Sequence, residues 1–391
     1  MQLLSQRQAE QAAAACEALF QSNPESNDAL LLLGKARQQQ GRFEEMLQLV
    51  EMAMKRAPQI VSLQLQYIGA CQFCGHHDRA LKQLATVEQG ARNDAPLLQN
   101  VAELYMHAGK HEQAHRCYSR AVELDGNNTR YLYNLASSSV AVGELQQAEA
   151  LYSRVVEMNP ENFDALHNRS TLRKQTQDDN HIGELEQALQ KLAPGDAGEA
   201  SLCYALAKEH EDLGEDERSF AWLKRGADSR RRQLAYDVQT EVSVTKRIME
   251  IFDRDYADTV TNLPERRGPI FVLGLPRSGT TLVDRIISSH SKVDSLGEIP
   301  DFALTLTRLG GSADGDRLLE AAVGIDPDKL GGSYISSVAS YGSDAPYFVD
   351  KSPTNYLYIG LIAKALPGVP IVHVRRHPVD SCLAMYRALF R

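Results

Sequence analysis

Apolar positions in the first half of the chain fall into paired helical stripes, and glycine divides the stripes at a fixed interval. Gly41, Gly75, Gly109 and Gly143 recur every 34 residues, and two amphipathic helical segments can be drawn around each. Met46, Ala80, Ala114 and Ala148 stand five residues beyond these glycines, where a small or slim side chain lets two helices approach. Nine residues beyond stand Val50, Leu84, Tyr118 and Tyr152, and twelve beyond stand Ala53, Val87, Ala121 and Val155. Steps of four and three place the three sets on one helix face, so they predict a buried seam. Past position 268 the period changes. Short apolar runs at about 269–274, 347–350 and 370–375 alternate with helical stretches, which predicts a parallel sheet covered by helices on both faces.

The 34-residue interval resembles that of tetratricopeptide repeats (TPR). Pro58 and Pro160 close two of the repeats as that pattern has it, while Arg92 and Gly126 occupy the position in the other two. Residues 1–24 are helix-like and end in Asn23-Pro24, a partial first repeat. Register is lost over 163–199, where Gln175-Thr-Gln-Asp-Asp-Asn-His181 reads as a polar break, and it returns over 202–227 around Gly214. The interval from Gly143 to Gly214 is 71 residues, two repeats plus three, which predicts one degenerate repeat with a short insertion and then a further helix pair carrying Trp222. About six helix pairs are expected, enough to bury a continuous core by stacking. Ser229-Arg-Arg-Arg232 reads as a solvated helix end, 238–256 as a connecting helix and Leu263-Pro-Glu-Arg-Arg-Gly268 as a linker.

Chemistry concentrates in Pro269-Ile-Phe-Val-Leu-Gly-Leu-Pro-Arg-Ser-Gly-Thr-Thr-Leu-Val283, a buried strand feeding a glycine-bracketed loop and then a helix. Gly274 and Gly279 permit the tight turn that aims successive N–H groups at an anion, and the helix near Thr280 adds the positive end of its dipole. The spacing is that of a nucleotide-binding P-loop, except that Thr280 replaces the lysine and the cation sits in the loop as Arg277. Pro276-Arg-Ser-Gly-Thr-Thr281 resembles the 5′-phosphosulfate loop of sulfotransferases, which use 3′-phosphoadenosine 5′-phosphosulfate (PAPS). Tyr347-Phe-Val-Asp-Lys-Ser-Pro353 and Ile371-Val-His-Val-Arg-Arg-His-Pro-Val-Asp380 follow in the family's order, the second resembling its 3′-phosphate site. The resemblance covers about 268–391 and leans toward the tyrosylprotein type. The architecture expected is therefore an amino-terminal all-α TPR solenoid over 1–235, a connecting helix and linker over 236–267, and an α/β P-loop-like, parallel-sheet sulfotransferase domain over 268–391.

This resemblance implies a set of roles. Backbone N–H groups of 277–281, including Gly279, and the hydroxyls of Ser278, Thr280 and Thr281 hold the 5′-phosphate, and Arg277 offsets charge there and on the transferring group. Lys351 stabilises the leaving oxygen and Arg376 pairs with the 3′-phosphate. Glu298, in a Gly-Glu context like that of the tyrosylprotein enzymes, is the base for the acceptor hydroxyl. Glu298 also reads as a helix amino-terminal glutamate stabilised by the dipole, and His290 as either an alternative base or a residue capping the loop helix. Asp350 and Asp284 are candidate salt-bridge partners for the basic residues. Ala384 stands where sulfotransferases commonly place a serine on the 3′-phosphate, and Ser381, one helical turn earlier, is the substitute or an ordinary helix-surface serine. Cys382-Leu-Ala-Met-Tyr-Arg-Ala-Leu-Phe-Arg391 has a helical pattern with no stop signal, and because the family's domain continues beyond this helix the chain reads as a truncated sulfotransferase.

Composition narrows the classes. The chain has 391 residues and a net charge of -9, so no general affinity for nucleic acid is implied. Residues 268–391 carry 12 acidic and 12 basic side chains, which places the whole excess negative charge before them, in the amino-terminal part. No apolar stretch reaches a membrane span and the amino terminus lacks the plan of a signal peptide, so a cytoplasmic protein is expected. The six cysteines are scattered as in a reducing compartment. Cys71-Gln-Phe-Cys74 with His76 and His77 offers four candidate metal ligands in seven residues, but Cys71 falls at a repeat position that is normally buried and one helix cannot easily turn all four onto a tetrahedron. No acidic ligand cluster accompanies the loop, and a metal-independent reaction is implied. A protein or peptide acceptor held by the TPR surface is the expected partner. A TPR scaffold with an inactive domain, or a P-loop kinase, are the alternatives, the missing lysine counting against the latter.

Overall fold

The computed structural model describes residues 9–193, 195–258, 260, 267–311 and 321–390. The linker expected over 263–268 lies, up to position 266, outside the described residues. Compactness divides the chain into two units, each discontinuous in sequence. One comprises Met1–Val87 with Val238–His377, the other Glu88–Asp237 with Pro378–Arg391.

Both units contain the repeat pattern. After helix Ala9–Ser22, the first unit has the pair Asn27–Gln39 and Phe43–Arg56, then Val61–Phe73 with His77–Gly90, whose last turn crosses the boundary. The second unit has the pairs Ala95–His107 with His111–Leu124 and Thr129–Ala141 with Leu145–Met158, the two short helices Phe163–Thr171 and Ile182–Gln190, and the pair Gly198–Asp212 with Asp216–Gln233. Six pairs thus follow the first helix among the described residues. Side-chain caps start several of them: Ser26 accepts from the Ala29 N–H at 3.2 Å, Asp94 from Leu97 at 2.9 Å and Asn162 from Ala165 at 3.0 Å. The twelve seam residues are all buried, from Ala53, Ala80 and Leu84 to Tyr152 and Val155. Gly41, Gly75, Gly109, Gly143 and Gly214 have φ between 68° and 86°, the left-handed turn between paired helices that other residues adopt at a cost.

The polar break is a tight turn. Gln175 is buried with its N–H on Asp212 at 2.8 Å, and Thr176 and Asp179 form a two-residue bridge. Leu166, Leu185 and Leu189 from the short helices share a cluster with Leu202 and Leu206, so the degenerate repeat still buries its apolar face. The connecting helix expected over 238–256 is two helices, Val238–Ile251 and Arg254–Asp258, because the Asp253 carboxylate accepts from the Tyr256 N–H at 2.9 Å and restarts the chain.

The sheet of the first unit is wholly parallel, in the order β2-β3-β1-β4, with β1 Gly268–Gly274, β2 Val293–Ser295, β3 Tyr347–Asp350 and β4 Ile371–Val374. Phe271 and Leu273 pack into a cluster with Phe302, Leu306, Tyr334, Leu361 and Ile362, while Val272, pointing to the opposite face, is also fully buried. Three strands stand where the apolar runs predicted them; β2 has only three residues and was not foreseen. The terminal helix Pro378–Tyr386 stops five residues before the end of the pattern that predicted it. Tyr386 and Leu389 pack with Tyr204, Ala207, Leu223 and Trp222, and Arg387 pairs with Glu211 at 2.7 Å, so tertiary contacts of the second unit override local helical pattern. No described helix is long and apolar enough to cross a membrane.

Candidate functional site

Every strand of the sheet delivers a candidate residue at its carboxyl end. Along the sheet order these are Glu298 after β2, Lys351 directly after β3, the loop around Arg277 after β1 and Arg376 after β4. Open parallel sheets bind ligands along this edge. The unforeseen β2 is what brings Glu298 onto it.

Gly274 ends β1 with φ 152°, and a Cβ there would stand 2.5 Å from the Val374 carbonyl oxygen, so glycine lets β1 and β4 run side by side into the site. Arg277 is the one non-glycine residue with positive φ, 64°, among the described residues. Gly279 precedes helix Thr280–Ser288 and supplies no side-chain cap, which leaves first-turn N–H groups for another acceptor. Thr280 and Ser278 are buried, and the Ser278 hydroxyl has no hydrogen-bond partner among the described residues. An orphaned hydroxyl in a glycine-turned loop at an uncapped helix start fits an oxyanion such as phosphate. Arg277 and Thr281 are exposed. Arg376 donates through Nη1 to the Arg277 carbonyl oxygen at 3.4 Å, which joins the β4 cation to the loop.

Lys351 and Glu298 form a direct ion pair, with the lysine side chain 8% exposed and the carboxylate 60% exposed. Backbone bonds hold the two corners together: Lys351 N–H to the Gly297 carbonyl at 2.9 Å and Leu296 N–H to that of Val349 at 3.0 Å. Glu298 does not stand in the first turn of the helix that follows, which begins at Asp301 with Pro300 before it; its carboxylate pairs with Lys351 instead.

Neither aspartate expected to pair with the basic residues does so among the described residues. Asp350 is completely buried and accepts from the Tyr334 hydroxyl at 2.8 Å and the Asn355 amide at 3.0 Å; burial, with the nearby Asp301 charge, pushes its carboxyl up to about 7. Asp284 accepts from the Ser295 hydroxyl at 3.0 Å, and its other oxygen is buried without a partner. His290 lies just past the loop helix and accepts from the Lys292 N–H at 3.1 Å, a turn role. Ser381 is buried in the terminal helix, which belongs to the second compact unit. The Cys71, Cys74, His76 and His77 set does not converge: Cys74 Sγ donates to the Phe43 carbonyl at 3.6 Å and His77 bonds Asp301. A cavity of about 520 Å³ in the second unit, lined by Val156, Phe163, Leu166 and Glu184, contains none of the candidate residues.

Sequence reasoning missed Asp301, Tyr334 and Asn355. Asp301 accepts from His77 at 3.0 Å, from the Tyr341 hydroxyl at 2.8 Å and from Ser337; despite burial, these bonds hold its carboxyl below the usual range. Its place three residues beyond Glu298 was the only available signal.

Comparison with known proteins separates the two halves. Residues 269–391 match the model of the sulfotransferase family. Three tetratricopeptide-repeat models match residues 2–59, 95–128 and 129–162. The chain thus joins tetratricopeptide repeats to a sulfotransferase-family region. An uncharacterised protein of Aquifex aeolicus (strain VF5) is 30% identical over 223 residues, covering 54% of this chain, and the chain spans only 29% of that protein's length. Among solved structures, a tetratricopeptide repeat protein of Parabacteroides merdae ATCC 43184 aligns at 15% identity over 61% of this chain and 91% of its own, with a TM-score of 0.41. The C-terminal part of a TPR protein of Cytophaga hutchinsonii aligns at 12% identity over 58% of this chain and 92% of its own, with a TM-score of 0.44.

Proposed function

We propose that the protein is a PAPS-dependent sulfotransferase whose acceptor is a hydroxyl, protein tyrosine being the first choice. The observation that carries the reading is the row of Glu298, Lys351, the Arg277 loop and Arg376 along one sheet edge, in a region that matches the sulfotransferase family. Ser278, Gly279, Thr280 and Thr281 hold the 5′-phosphate with loop and helix N–H groups, and Arg277 supplies the positive charge a P-loop takes from lysine. Arg376 meets the 3′-phosphate, and Ser381 is proposed to assist it. The donor, once bound, supplies an electrophilic sulfur whose bond to the bridging oxygen breaks as the acceptor oxygen bonds to it. Glu298 takes the acceptor proton and Lys351 offsets charge on the departing oxygen. Positioning and charge stabilisation carry such a transfer.

Calorimetry with 3′,5′-adenosine diphosphate in EDTA, followed by mass spectrometry of a PAPS reaction with tyrosine-containing peptides, tests the proposal. Micromolar binding and a sulfated peptide are expected. Absence of binding removes the donor assignment and leaves the repeats as a protein-binding scaffold; binding without sulfated peptide moves the acceptor to a carbohydrate or small hydroxylated molecule.

A further inference from the structure

The second repeat reaches the site's supporting structure inside the first compact unit. His77, at the start of helix His77–Gly90, is 6% exposed; its Nε2 lies 3.0 Å from the Asp301 carboxylate and its ring stacks on Tyr341 at 4.5 Å. Asp301 is 1% exposed and draws three donors: His77, Ser337 of helix Pro327–Ala339, and Tyr341 in the turn that follows that helix. Arg308, two turns along the same helix as Asp301, donates to the Phe73 carbonyl at 3.2 Å, the end of the preceding repeat helix. The repeat glycines permit this approach. A Cβ at Gly75 would overlap the Ser337 hydroxyl and one at Gly41 the Gly311 carbonyl, whereas nothing lies within 4 Å of one at Gly109, Gly143 or Gly214.

We propose that His77 is a positioning residue for the Glu298 segment: through Asp301 it fixes the first turn of helix Asp301–Gly310 and with it the corner that holds Glu298 against Lys351. The catalytic meaning of that corner rests on the sulfotransferase reading. Only Ile299, itself buried, and Pro300 separate Glu298 from Asp301, so little slack can absorb a shift of the helix start. A second route runs through the same brace. Tyr334, one turn before Ser337, bonds Asp350, the residue before Lys351. Both members of the ion pair are therefore braced by helix Pro327–Ala339, and Asp301 ties that helix to the repeat. A buried carboxylate that loses one of its donors must move or draw in water, which loosens the turn it starts.

Hydrogen exchange without ligand reads the brace directly. His77→Phe keeps a ring against Tyr341 and removes the donor, while His77→Gln restores an N–H near the position of Nε2. His77→Phe is expected to raise exchange about tenfold in a peptide spanning 296–306 and to lower turnover about tenfold, with affinity for 3′,5′-adenosine diphosphate within twofold of wild type; His77→Gln should recover most of both losses. Unchanged exchange at 296–306, an equal rise throughout the unit, or no recovery with glutamine overturns the proposal. Tyr341→Phe deletes another donor to Asp301 and supplies the measurement if His77→Phe does not fold, a local rise supporting the brace and no rise overturning it. Loss of nucleotide binding in wild type with the exchange effect intact would remove the sulfotransferase reading alone.

Discussion

Arg277 and Glu298 divide the work of the site, and their substitutions should separate in kind. Arg277→Ala removes a charge-assisted contact of about 1.5–3 kcal/mol, roughly ten- to a hundredfold in affinity for 3′,5′-adenosine diphosphate by calorimetry. Glu298→Gln keeps shape and hydrogen bonding but not basicity, so turnover should fall about 10²- to 10⁴-fold with nucleotide affinity nearly unchanged. Asp350 gives a third prediction, in pH. Its folded carboxyl titrates near 7, far above its ordinary value of 3.8, so the native state keeps a proton that the unfolded chain has already lost. Stability from this group is therefore greatest below about pH 4 and declines as pH rises toward 7. Asp350→Asn should abolish that decline, seen as a urea midpoint whose difference from wild type shifts in the variant's favour between pH 4 and 7. The loop, Lys351 and Arg376 were legible because glycine spacing and strand-end cations leave a local mark. Asp301 and Tyr334 were not, since their partners lie 224 and 16 residues away and nothing in their neighbourhoods names them.

At the scale of elements, the 34-residue glycines were legible as turns but not as contact points. Left-handed φ is a local demand and repeats with the sequence; what presses on the turn depends on the unit in which it folds. Gly41 and Gly143 share the conformation, φ 74° and 86°, yet only Gly41 abuts another backbone. Gly143→Ala should cost about 1–2 kcal/mol, the strain of a left-handed alanine. Gly41→Ala should cost a further 1–3 kcal/mol or so, because its Cβ meets the Gly311 carbonyl and rigid backbone must move. Urea denaturation of both variants checks the order, and equal losses would deny the contact. The short β2 shows the converse limit. Val293-Asp-Ser295 is too brief and too polar to announce itself, and only pairing with β3 makes it a strand.

For the whole molecule, the compact units change how the role of the repeats should be tested. Deleting residues 1–235 would remove the helix pairs that fold with the sheet as well as those of the second unit, so a loss of activity would not reveal acceptor capture. Substitutions confined to the second unit avoid this. Met106 and Val140 lie on the first helices of two successive repeats there; Val140 is 38% exposed and Met106 half-buried. Stacked repeats of this class present extended surfaces that suit a polypeptide better than a small molecule. If such a surface holds the acceptor, Met106→Glu with Val140→Glu should raise the KM for a protein acceptor by about an order of magnitude and leave the KM for PAPS and the rate with a minimal phenol intact, because the second binding module no longer raises the acceptor's effective concentration. Equal losses on protein and phenol would assign these repeats to support of the fold, and no loss on either would assign this face to a partner unrelated to sulfation.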